Sequence, residues 1–312
     1  MAMKPKIRIG AMAAVGAAVL AISTVVAVTP SIAATGPAPI SAGARYLALG
    51  DSIAFGYREP HSVQTPNPEK PNTFVGYPEL IANNLDLKLT NAACPGETTA
   101  SFIDTTRPDN GCTTDDTGGP GWRTAGFPLH ATYASASQSQ LDFAIAYLKA
   151  HPGTKLVTLQ IGANDGLRCI NLDQCTTPTE LAEALAAVQK RLTRILNNIK
   201  NKGGYSGQLV LVNYYSVNSA SEQQNELSHE LNLAELQVAG NYSNVTVADA
   251  FSQYASASKN APGTTAGGDT CVAGLETILT DESSGNENCG IHPSRAGQAL
   301  IAGAVERVVS KP

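Results

Sequence analysis

Five short apolar runs, separated by longer segments with helical periodicity, restrict the folds open to this chain more than any other feature. The runs are rich in β-branched and aliphatic residues and span 46–50, 87–92, 155–161, 208–213 and 245–248. Between them, apolar residues recur at three- and four-residue steps in 138–149, 179–199 and 221–238. Strands that alternate with helices predict a parallel α/β sheet covered on both faces, with right-handed crossovers.

Two stretches, 100–132 and 252–291, follow neither periodicity and are rich in small and polar residues. We read both as surface loops held by the cysteines that bound them. No repeat or linker divides the chain, and its 312 residues, 43% of them hydrophobic, suffice for one large core. A single domain over 35–312 is therefore expected.

The first 34 residues have the order of features found in a secretory signal. Three basic residues precede an Ala/Val-rich run at 9–28, and the small residues Ala33 and Ala34 follow. The alternative is an uncleaved membrane anchor, since the run is nearly long enough to span a bilayer. Its many Ala and Gly residues favour a cleaved signal at 1–34 and a secreted protein without stable membrane insertion.

The charge of the chain makes nucleic acid and anionic membranes poor partners. The formal net charge is −5, and the basic residues of the signal leave with it. No basic cluster remains in the mature chain.

An even number of cysteines in an exported chain predicts disulfides. Six cysteines allow 15 connectivities. We favour sequential pairing, because each bridge then closes a short loop between main elements: Cys94–Cys112, Cys169–Cys175 and Cys271–Cys289. No metal site is expected, because no C-x-x-C pair occurs and the histidines do not cluster with cysteines.

Polar residues follow three successive predicted strands, where sites gather in parallel sheets. Ser52 follows the first strand, Gly96 stands in the loop after the second, and Asn164 follows the third. Each has an ordinary explanation as a helix cap or turn residue. Together they supply one hydroxyl and two hydrogen-bond donors, which a serine nucleophile requires where negative charge develops.

A serine hydroxyl also needs a neighbouring base. His292 is the candidate, because it lies in a predicted loop before an apolar C-terminal segment. The other histidines, His61, His130, His151 and His229, have no comparable support. The ordinary alternative for His292 is a surface or structural role.

Four blocks in this order resemble the SGNH (GDSL) hydrolases. They are Gly50-Asp51-Ser52, the run Asn91-Ala92-Ala93-Cys94-Pro95-Gly96-Glu97-Thr98, then Gly162-Ala163-Asn164-Asp165, and His292-Pro293. The resemblance covers almost all of the mature chain. The signal, the six cysteines and the run Cys94-Pro95-Gly96-Glu97-Thr98 look most like the exported actinobacterial esterase/lipase branch.

The resemblance implies a fold and a mechanism. The fold is a flavodoxin-like three-layer α/β/α sandwich with a five-stranded parallel sheet, commonly ordered 2-1-3-4-5. Ser52 would attack an ester carbonyl and His292 would carry the proton. The backbone NH groups of Ser52 and Gly96, with the Asn164 side chain, would form the oxyanion hole. Neither a metal nor a cofactor is implied.

The chain departs from the family at the position three residues before the histidine. Many members carry an aspartate there, but this chain has Cys289. We expect the backbone carbonyl near Cys289 to accept the proton of the His292 Nδ1 atom, giving a Ser–His dyad. The rival orienters are the carboxylates of the preceding loop: Asp281, Glu282 and Glu287. Asp51 is expected to support the nucleophile turn.

Three functions remain open from the sequence. The first is a carboxylic ester hydrolase acting, as a monomer, on a small ester or lipid. The second is a polysaccharide O-acetyl esterase, and the third a binding module without turnover. A deep apolar pocket would favour the first, and a shallow polar cleft the second. The aromatic residues Phe55, Tyr57, Trp122 and Phe127 are more readily explained by packing than by a pocket.

Overall fold

All five predicted strands form one parallel sheet in the computed structural model, which describes residues 37–312 except 63–64, 116, 173, 218–220, 265–266 and 281–286. The predicted signal lies outside the described residues. The strands are β1 (Arg45–Gly50), β2 (Lys88–Asn91), β3 (Thr154–Gln160), β4 (Gln208–Val212) and β5 (Val245–Ala248). Their order is β2-β1-β3-β4-β5, with every neighbouring pair parallel. The expected strand order is therefore confirmed.

Eight described helices connect and cover the strands. They are α1 (Ser52–Phe55), α2 (Tyr77–Asn84), α3 (Gln140–Ala150), α4 (Ala163–Asn171), α5 (Pro178–Asn201), α6 (Glu222–Ala239), α7 (Ala250–Asn260) and α8 (Arg295–Val308). Helix α5 begins with a capping box in which Thr177 and Glu180 satisfy each other's backbone N–H groups. The predicted helices at 138–149, 179–199 and 221–238 correspond to α3, α5 and α6.

Alternate residues of the strands point into two separate apolar clusters, which makes the molecule three-layered. In β1, Tyr46 and Ala48 face one cluster, and Leu47 and Leu49 face the other. The first cluster contains residues of α2, α7 and α8, and the second contains residues of α3, α5 and α6. The inner strands β1, β3 and β4 are buried on both faces along most of their length, which explains why apolar residues occur at consecutive positions in them.

Of the two predicted loops, only one is a loop throughout its described length. Residues 100–132 contain turns and a single bridge between Thr114 and Pro120, and no helix or strand is described there. The reading of 252–291 as a loop is wrong. Its first part belongs to α7, and its last part forms an antiparallel hairpin of β6 (Glu276–Thr280) and β7 (Glu287–Pro293). Helix α7 is not predicted by apolar periodicity, because its residues are largely Ala and Ser.

The structure contains the three expected disulfides: Cys94–Cys112, Cys169–Cys175 and Cys271–Cys289. The first joins the loop after β2 to the loop 100–132. The second joins the end of α4 to the segment before α5. The third joins the hairpin to the segment before it. None of the helices described is long and apolar enough to cross a membrane.

Candidate active site

Ser52 lies in the first turn of α1, directly beyond the carboxyl end of β1. Asp51 caps this helix, its Oδ1 atom accepting a hydrogen bond of 3.0 Å from the N–H of Ile53. The Oδ2 atom accepts a second bond, of 2.5 Å, from the hydroxyl of Tyr214. Burial raises the pKa of the Asp51 carboxyl to about 6, although both hydrogen bonds oppose that rise. Asp51 therefore supports the turn that carries Ser52.

Gly50 permits the sharp change of direction between β1 and α1. Its φ is +141°, and a Cβ atom there would lie 2.2 Å from the backbone oxygen of Gln160. Any larger residue would separate β1 from β3 at the point where both strands end. The glycine of the Gly50-Asp51-Ser52 block is thus required by the packing of two strand ends.

His292 lies on β7 and reaches back to the first strand end. Its Nε2 atom is 2.9 Å from the Oγ atom of Ser52. The ring of Tyr57 contacts the imidazole edge to face, with centroids 4.8 Å apart. The side chain of His292 is only 13% exposed. The two residues predicted as nucleophile and base are therefore within hydrogen-bonding distance across 240 residues of sequence.

Glu59 occupies the position behind the histidine. Its Oε1 atom lies 2.8 Å from Nδ1 of His292 and also accepts the backbone N–H groups of Ile291 and His292. Its Oε2 atom accepts the hydroxyl of Thr277. Burial raises the pKa of the Glu59 carboxyl, but the contacts with His292 and Thr277 outweigh burial and bring that pKa down to about 2.

This arrangement fixes the tautomer of His292. A carboxylate can only accept hydrogen bonds, so Nδ1 carries a proton and donates it to Glu59. The neutral ring then presents an unprotonated Nε2 to the hydroxyl of Ser52. The imidazole is thereby in the form required of a general base.

The expectation that the Cys289 carbonyl orients the histidine is corrected by this geometry. The acceptor at Nδ1 is a side chain from the loop after α1, and the backbone of β7 turns its N–H groups towards the same carboxylate. The rival residues Asp281 and Glu282 lie outside the described residues, as does the side chain of Glu287. Cys289 itself is bonded to Cys271.

Gly96 lies in the loop after β2 and is pressed against the chain at 110–111. Its φ is +78°, and a Cβ atom would lie 2.3 Å from the carbonyl oxygen of Asn110. The carbonyl of Gly96 accepts a 2.8 Å hydrogen bond from the N–H of Asn110. This pairing turns the Gly96 carbonyl towards the loop 100–132. Glycine is therefore the residue that both the backbone angle and the space permit.

Asn164 lies in the first turn of α4, beyond the carboxyl end of β3. Its Nδ2 atom donates a 3.0 Å hydrogen bond to the carbonyl of Glu97. Its Oδ1 atom accepts a 3.1 Å bond from Nδ2 of Asn110. The next residue, Asp165, accepts both the N–H and the hydroxyl of Thr99. The start of α4 is thus joined to the loop that carries Gly96.

A buried glutamine joins the nucleophile turn to the same loop. The Oε1 atom of Gln140 accepts the N–H of Gly50 at 2.6 Å, and its Nε2 atom donates to the carbonyl of Gly50. The same Nε2 atom contacts Oε2 of Glu97 at 3.1 Å. Burial raises the pKa of Glu97 to about 7. These contacts hold the ends of β1 and β2 in fixed relation.

The four predicted site residues line one cavity of about 450 Å³. Ser52, Gly96, Asn164 and His292 all border it, and most of the remaining lining is apolar. Tyr57 and Trp122 also line the cavity, whereas Phe55 is fully buried in the core. Packing therefore explains the positions of Phe55 and of Phe127, whose ring contacts Trp122, whereas Tyr57 and Trp122 both pack against the core and border the cavity.

Cys94, Glu97 and Cys112 place sulfur and oxygen atoms within 4.8 Å of one another. Such a cluster can hold a metal ion when its thiols are free. Here the two cysteines are bonded to each other, so they offer no thiolate ligands. The disulfide and Glu97 instead help to hold the loop that carries Gly96.

A family model for GDSL-like lipases and acylhydrolases matches residues 48–300. The chain belongs to the GDSL-like lipase/acylhydrolase family. The match contains all four sequence blocks, and membership makes the chain a hydrolase of ester bonds. Among curated proteins, no match is found.

Solved structures of esterases and lipases share the fold. The lipase Lip_vut3 from a goat rumen metagenome is 15% identical, with a TM-score of 0.52 over 86% of this chain and 98% of that one. Two catalytic mutants of Axe2, an acetylxylan esterase from Geobacillus stearothermophilus, are 16% identical. Each has a TM-score of 0.50 over 86% of this chain and 95% of theirs.

Reasoning from the sequence missed Glu59, Tyr214, Gln140 and Asn110. None belongs to a recognised block, and none stands at a position that periodicity marks. Glu59 is followed by Pro60 in an irregular segment between α1 and α2. A lone carboxylate there gives no signal, because its partner is 233 residues away.

Replacing Glu59 by Gln should lower kcat about a hundredfold or more with little change in KM. The amide oxygen can still accept the Nδ1 proton, but the neutral amide cannot stabilise the imidazolium as a carboxylate does. Steady-state kinetics with p-nitrophenyl butyrate test this. Glu69→Gln, an exposed change in the same segment, is the matched control. A Glu59→Gln enzyme within threefold of wild type would contradict the assignment.

Removing the Cys271–Cys289 bridge should lower activity before the domain unfolds. The bridge fixes β7, which carries His292, so its loss loosens the base more than the central sheet. The double variant Cys271→Ser/Cys289→Ser is heated while ester hydrolysis and near-UV circular dichroism are followed. Activity should decline at lower temperature than the dichroism. Parallel loss of both signals would refute this role.

Proposed function

We propose that this chain is an exported carboxylic ester hydrolase that works through an acyl-serine intermediate on Ser52. The observation that carries the proposal is the 2.9 Å contact between Ser52 Oγ and His292 Nε2. Behind it, Glu59 holds the imidazole by its other nitrogen at 2.8 Å. A hydroxyl, a base and a carboxylate in this chain of contacts are the parts of a serine hydrolase triad.

In the first half of the reaction, Ser52 Oγ attacks the ester carbonyl while His292 takes the hydroxyl proton. The tetrahedral intermediate carries its negative charge on the former carbonyl oxygen. Collapse of the intermediate breaks the bond to the alcohol, and His292 returns the proton to the leaving oxygen. Glu59 is a positioning residue that stabilises the imidazolium formed between these steps.

In the second half, water attacks the acyl-serine with His292 again as base. The carboxylic acid leaves and the Ser52 hydroxyl is restored. In each half of the reaction, His292 releases the proton that it has accepted. No external reductant or oxidant is needed.

Three groups are assigned to the oxyanion hole. Ser52 is in the first turn of α1, where a helix leaves its N–H groups without intrahelical acceptors. The Gly96 carbonyl accepts the N–H of Asn110, which fixes the backbone of the loop at Gly96. The amide of Asn164 is oriented by contacts at both of its polar atoms. Donors held in place before the reaction stabilise the intermediate without reorganisation.

The lining of the cavity favours apolar esters over acetylated polysaccharides. A sugar substrate would bring many hydroxyl groups that need partners, and this mostly apolar lining offers few. The non-catalytic alternative is disfavoured because a helix cap or a surface histidine needs no contact between Ser52 and His292.

Export is supported by two independent features. The signal predicted at 1–34 precedes the proposed catalytic domain at 35–312. All six cysteines are paired, and such disulfides persist in oxidising compartments. With the run Cys94-Pro95-Gly96-Glu97-Thr98, these features support a place in the exported actinobacterial branch. We expect the mature enzyme to be an extracellular monomer.

The proposal is tested by assaying the mature protein against p-nitrophenyl esters from acetate to palmitate beside Ser52→Ala. The variant should lose activity about 10⁴-fold or more, because no other nucleophile is placed beside His292. Ser256→Ala, on the exposed side of α7, is the matched control and should retain full activity. Unchanged circular dichroism excludes unfolding.

A wild-type protein that hydrolyses none of these esters would overturn the simple esterase assignment. Acetylated xylan and phospholipids are then the substrates to assay. Hydrolysis of acetylated xylan alone would establish the polysaccharide esterase, and ligand binding without any turnover would establish the binding module.

A further inference from the structure

The cavity beside Ser52 extends along three helix segments whose inward faces are poorly buried. In α4, Asn164 is the only buried residue. In the 24-residue helix α5, the first buried residue is Val188. In α6, the described residues before Leu231 are all at least partly exposed. All three segments line the cavity, and most of their apolar side chains there are only partly buried.

The groove between these segments, called here the helix groove, is apolar. The large aliphatic side chains that line it are Leu167, Ile170, Leu181, Leu185, Leu227 and Leu231. The lining residues that carry acidic or basic side chains are Asp51, Asp165 and His292. All three belong to the catalytic end, so the distal part of the groove offers an extended apolar surface. Such a surface gains free energy when a hydrocarbon displaces its water.

The two ends of the helix groove can be identified. Val188 lies at the catalytic end, because its Cγ1 atom is 3.5 Å from the position of a Cβ on Gly162, two residues before Asn164. Ile170 lies at the far end of α4 and is 45% exposed. From Val188 back to Leu181 the helix rises about 10 Å. The groove is therefore long, and it opens to solvent at its distal end.

We infer that the helix groove holds the acyl chain of the substrate, and that the enzyme prefers unbranched fatty acyl esters over acetyl esters. The inference rests on the proposed function and specifies its substrate class. With the ester carbonyl at Ser52, the acyl chain passes Val188 and runs along α5 towards Leu181. An acetyl group fills none of this path. Carbons beyond Ile170 leave the groove and add little binding.

The inference predicts a definite chain-length profile. The value of kcat/KM should rise from acetate through butyrate to octanoate by about tenfold or more, because each added methylene buries apolar surface. It should then level off for decanoate and laurate. The assay uses p-nitrophenyl esters of these acids below their solubility limits.

A bulky side chain within the helix groove should remove that preference. Ala184 lines the groove, whereas Ala186 on the same helix is exposed. Ala184→Trp should lower kcat/KM for octanoate about tenfold or more and should lower kcat/KM for acetate much less. Ala186→Trp is the matched control, because it adds the same side chain outside the groove. Thermal unfolding of both variants shows whether α5 remains intact.

The outcomes separate this inference from the proposed function. If wild type hydrolyses acetate through Ser52 but not octanoate, the groove assignment fails and the esterase stands. If Ala184→Trp lowers acetate and octanoate equally while remaining folded, the acyl chain does not run past Ala184 and the inference is overturned. If neither ester is hydrolysed, the proposed function itself fails.

A second inference comes from the loop 100–132. Asn110 contacts Gly96 and Asn164, the two proposed oxyanion donors that lie outside the turn carrying Ser52. Its N–H bonds the carbonyl of Gly96 at 2.8 Å, and its Nδ2 atom bonds Oδ1 of Asn164 at 3.1 Å. Because Asn110 can donate only from its nitrogen, it holds the oxygen of Asn164 on its side. The Asn164 amide nitrogen is then turned to the carbonyl of Glu97, and the residue borders the cavity.

The position of Asn110 is itself enforced by its neighbours. Asp109 accepts the backbone N–H groups of Gly111, Cys112, Thr113 and Thr114. The carbonyl of Asp109 also accepts a 2.5 Å bond from Arg168 on α4. The disulfide Cys94–Cys112 closes the same loop. We propose that Asn110 is a positioning residue that sets the amide of Asn164 for catalysis.

A double-mutant cycle tests this role. Asn110→Ala should lower kcat about tenfold with little change in KM, since the Asn164 amide can then rotate. Asn164→Ala should lower kcat by about a hundredfold. In the double variant, the loss should equal that of Asn164→Ala alone, because Asn110 acts through that amide.

A residue with a merely structural role would give losses that multiply, and that result would overturn the proposal. Asn110→Asp is the second variant, since it preserves the shape of the side chain but removes the donor. It should be as impaired as Asn110→Ala. Full activity in a folded Asn110→Asp enzyme would likewise refute the role.

Discussion

The pairing of β1 with β3 is the constraint on which the rest of the site depends. Gly50 pairs with Gln160 at the last register position of these strands, and there is no room between them for a Cβ atom. The turn to Ser52 and the turn to Asn164 therefore begin side by side. Because parallel strands end at the same edge, the proposed nucleophile Ser52 and the proposed oxyanion donor Asn164 meet without any long-range loop.

The remaining parts of the site are brought to that edge by polar contacts. Gln140 binds the backbone of Gly50 and the carboxyl of Glu97, so a helix of one outer layer holds two strand ends together. Glu59 does the same for the hairpin that carries His292, through two backbone N–H groups and the ring. Buried polar groups that are satisfied in this way specify one arrangement, because any displacement leaves a donor or acceptor unpaired.

The same architecture separates chemistry from substrate recognition. The polar groups of the proposed reaction are fixed by hydrogen bonds at the strand ends, in the loop after α1 and on β7. The helix groove beyond them is lined mainly by partly buried residues of α4, α5 and α6. Under the proposal, substitutions in the groove change the acyl preference without disturbing the contact between Ser52 and His292.

The sequence by itself determined the parallel sheet and most of the site. The inner strands are buried on both faces and carry apolar residues at consecutive positions, and α5 shows its inward face at regular spacing, so local patterns suffice for them. Ser52, Gly96 and Asn164 become candidates because each follows a strand, and the resemblance of the four blocks to the SGNH hydrolases supplies their roles and that of His292. The hairpin β6–β7 and helix α7 were not predicted from the sequence, because short strands and Ala/Ser-rich helices give weak periodicity. Only the tertiary structure reveals the roles of Glu59 and Asn110. A carboxylate or an amide becomes a hydrogen-bond partner only when folding brings a donor or acceptor within reach. For Glu59 that partner is 233 residues away, and no local pattern encodes the distance between them.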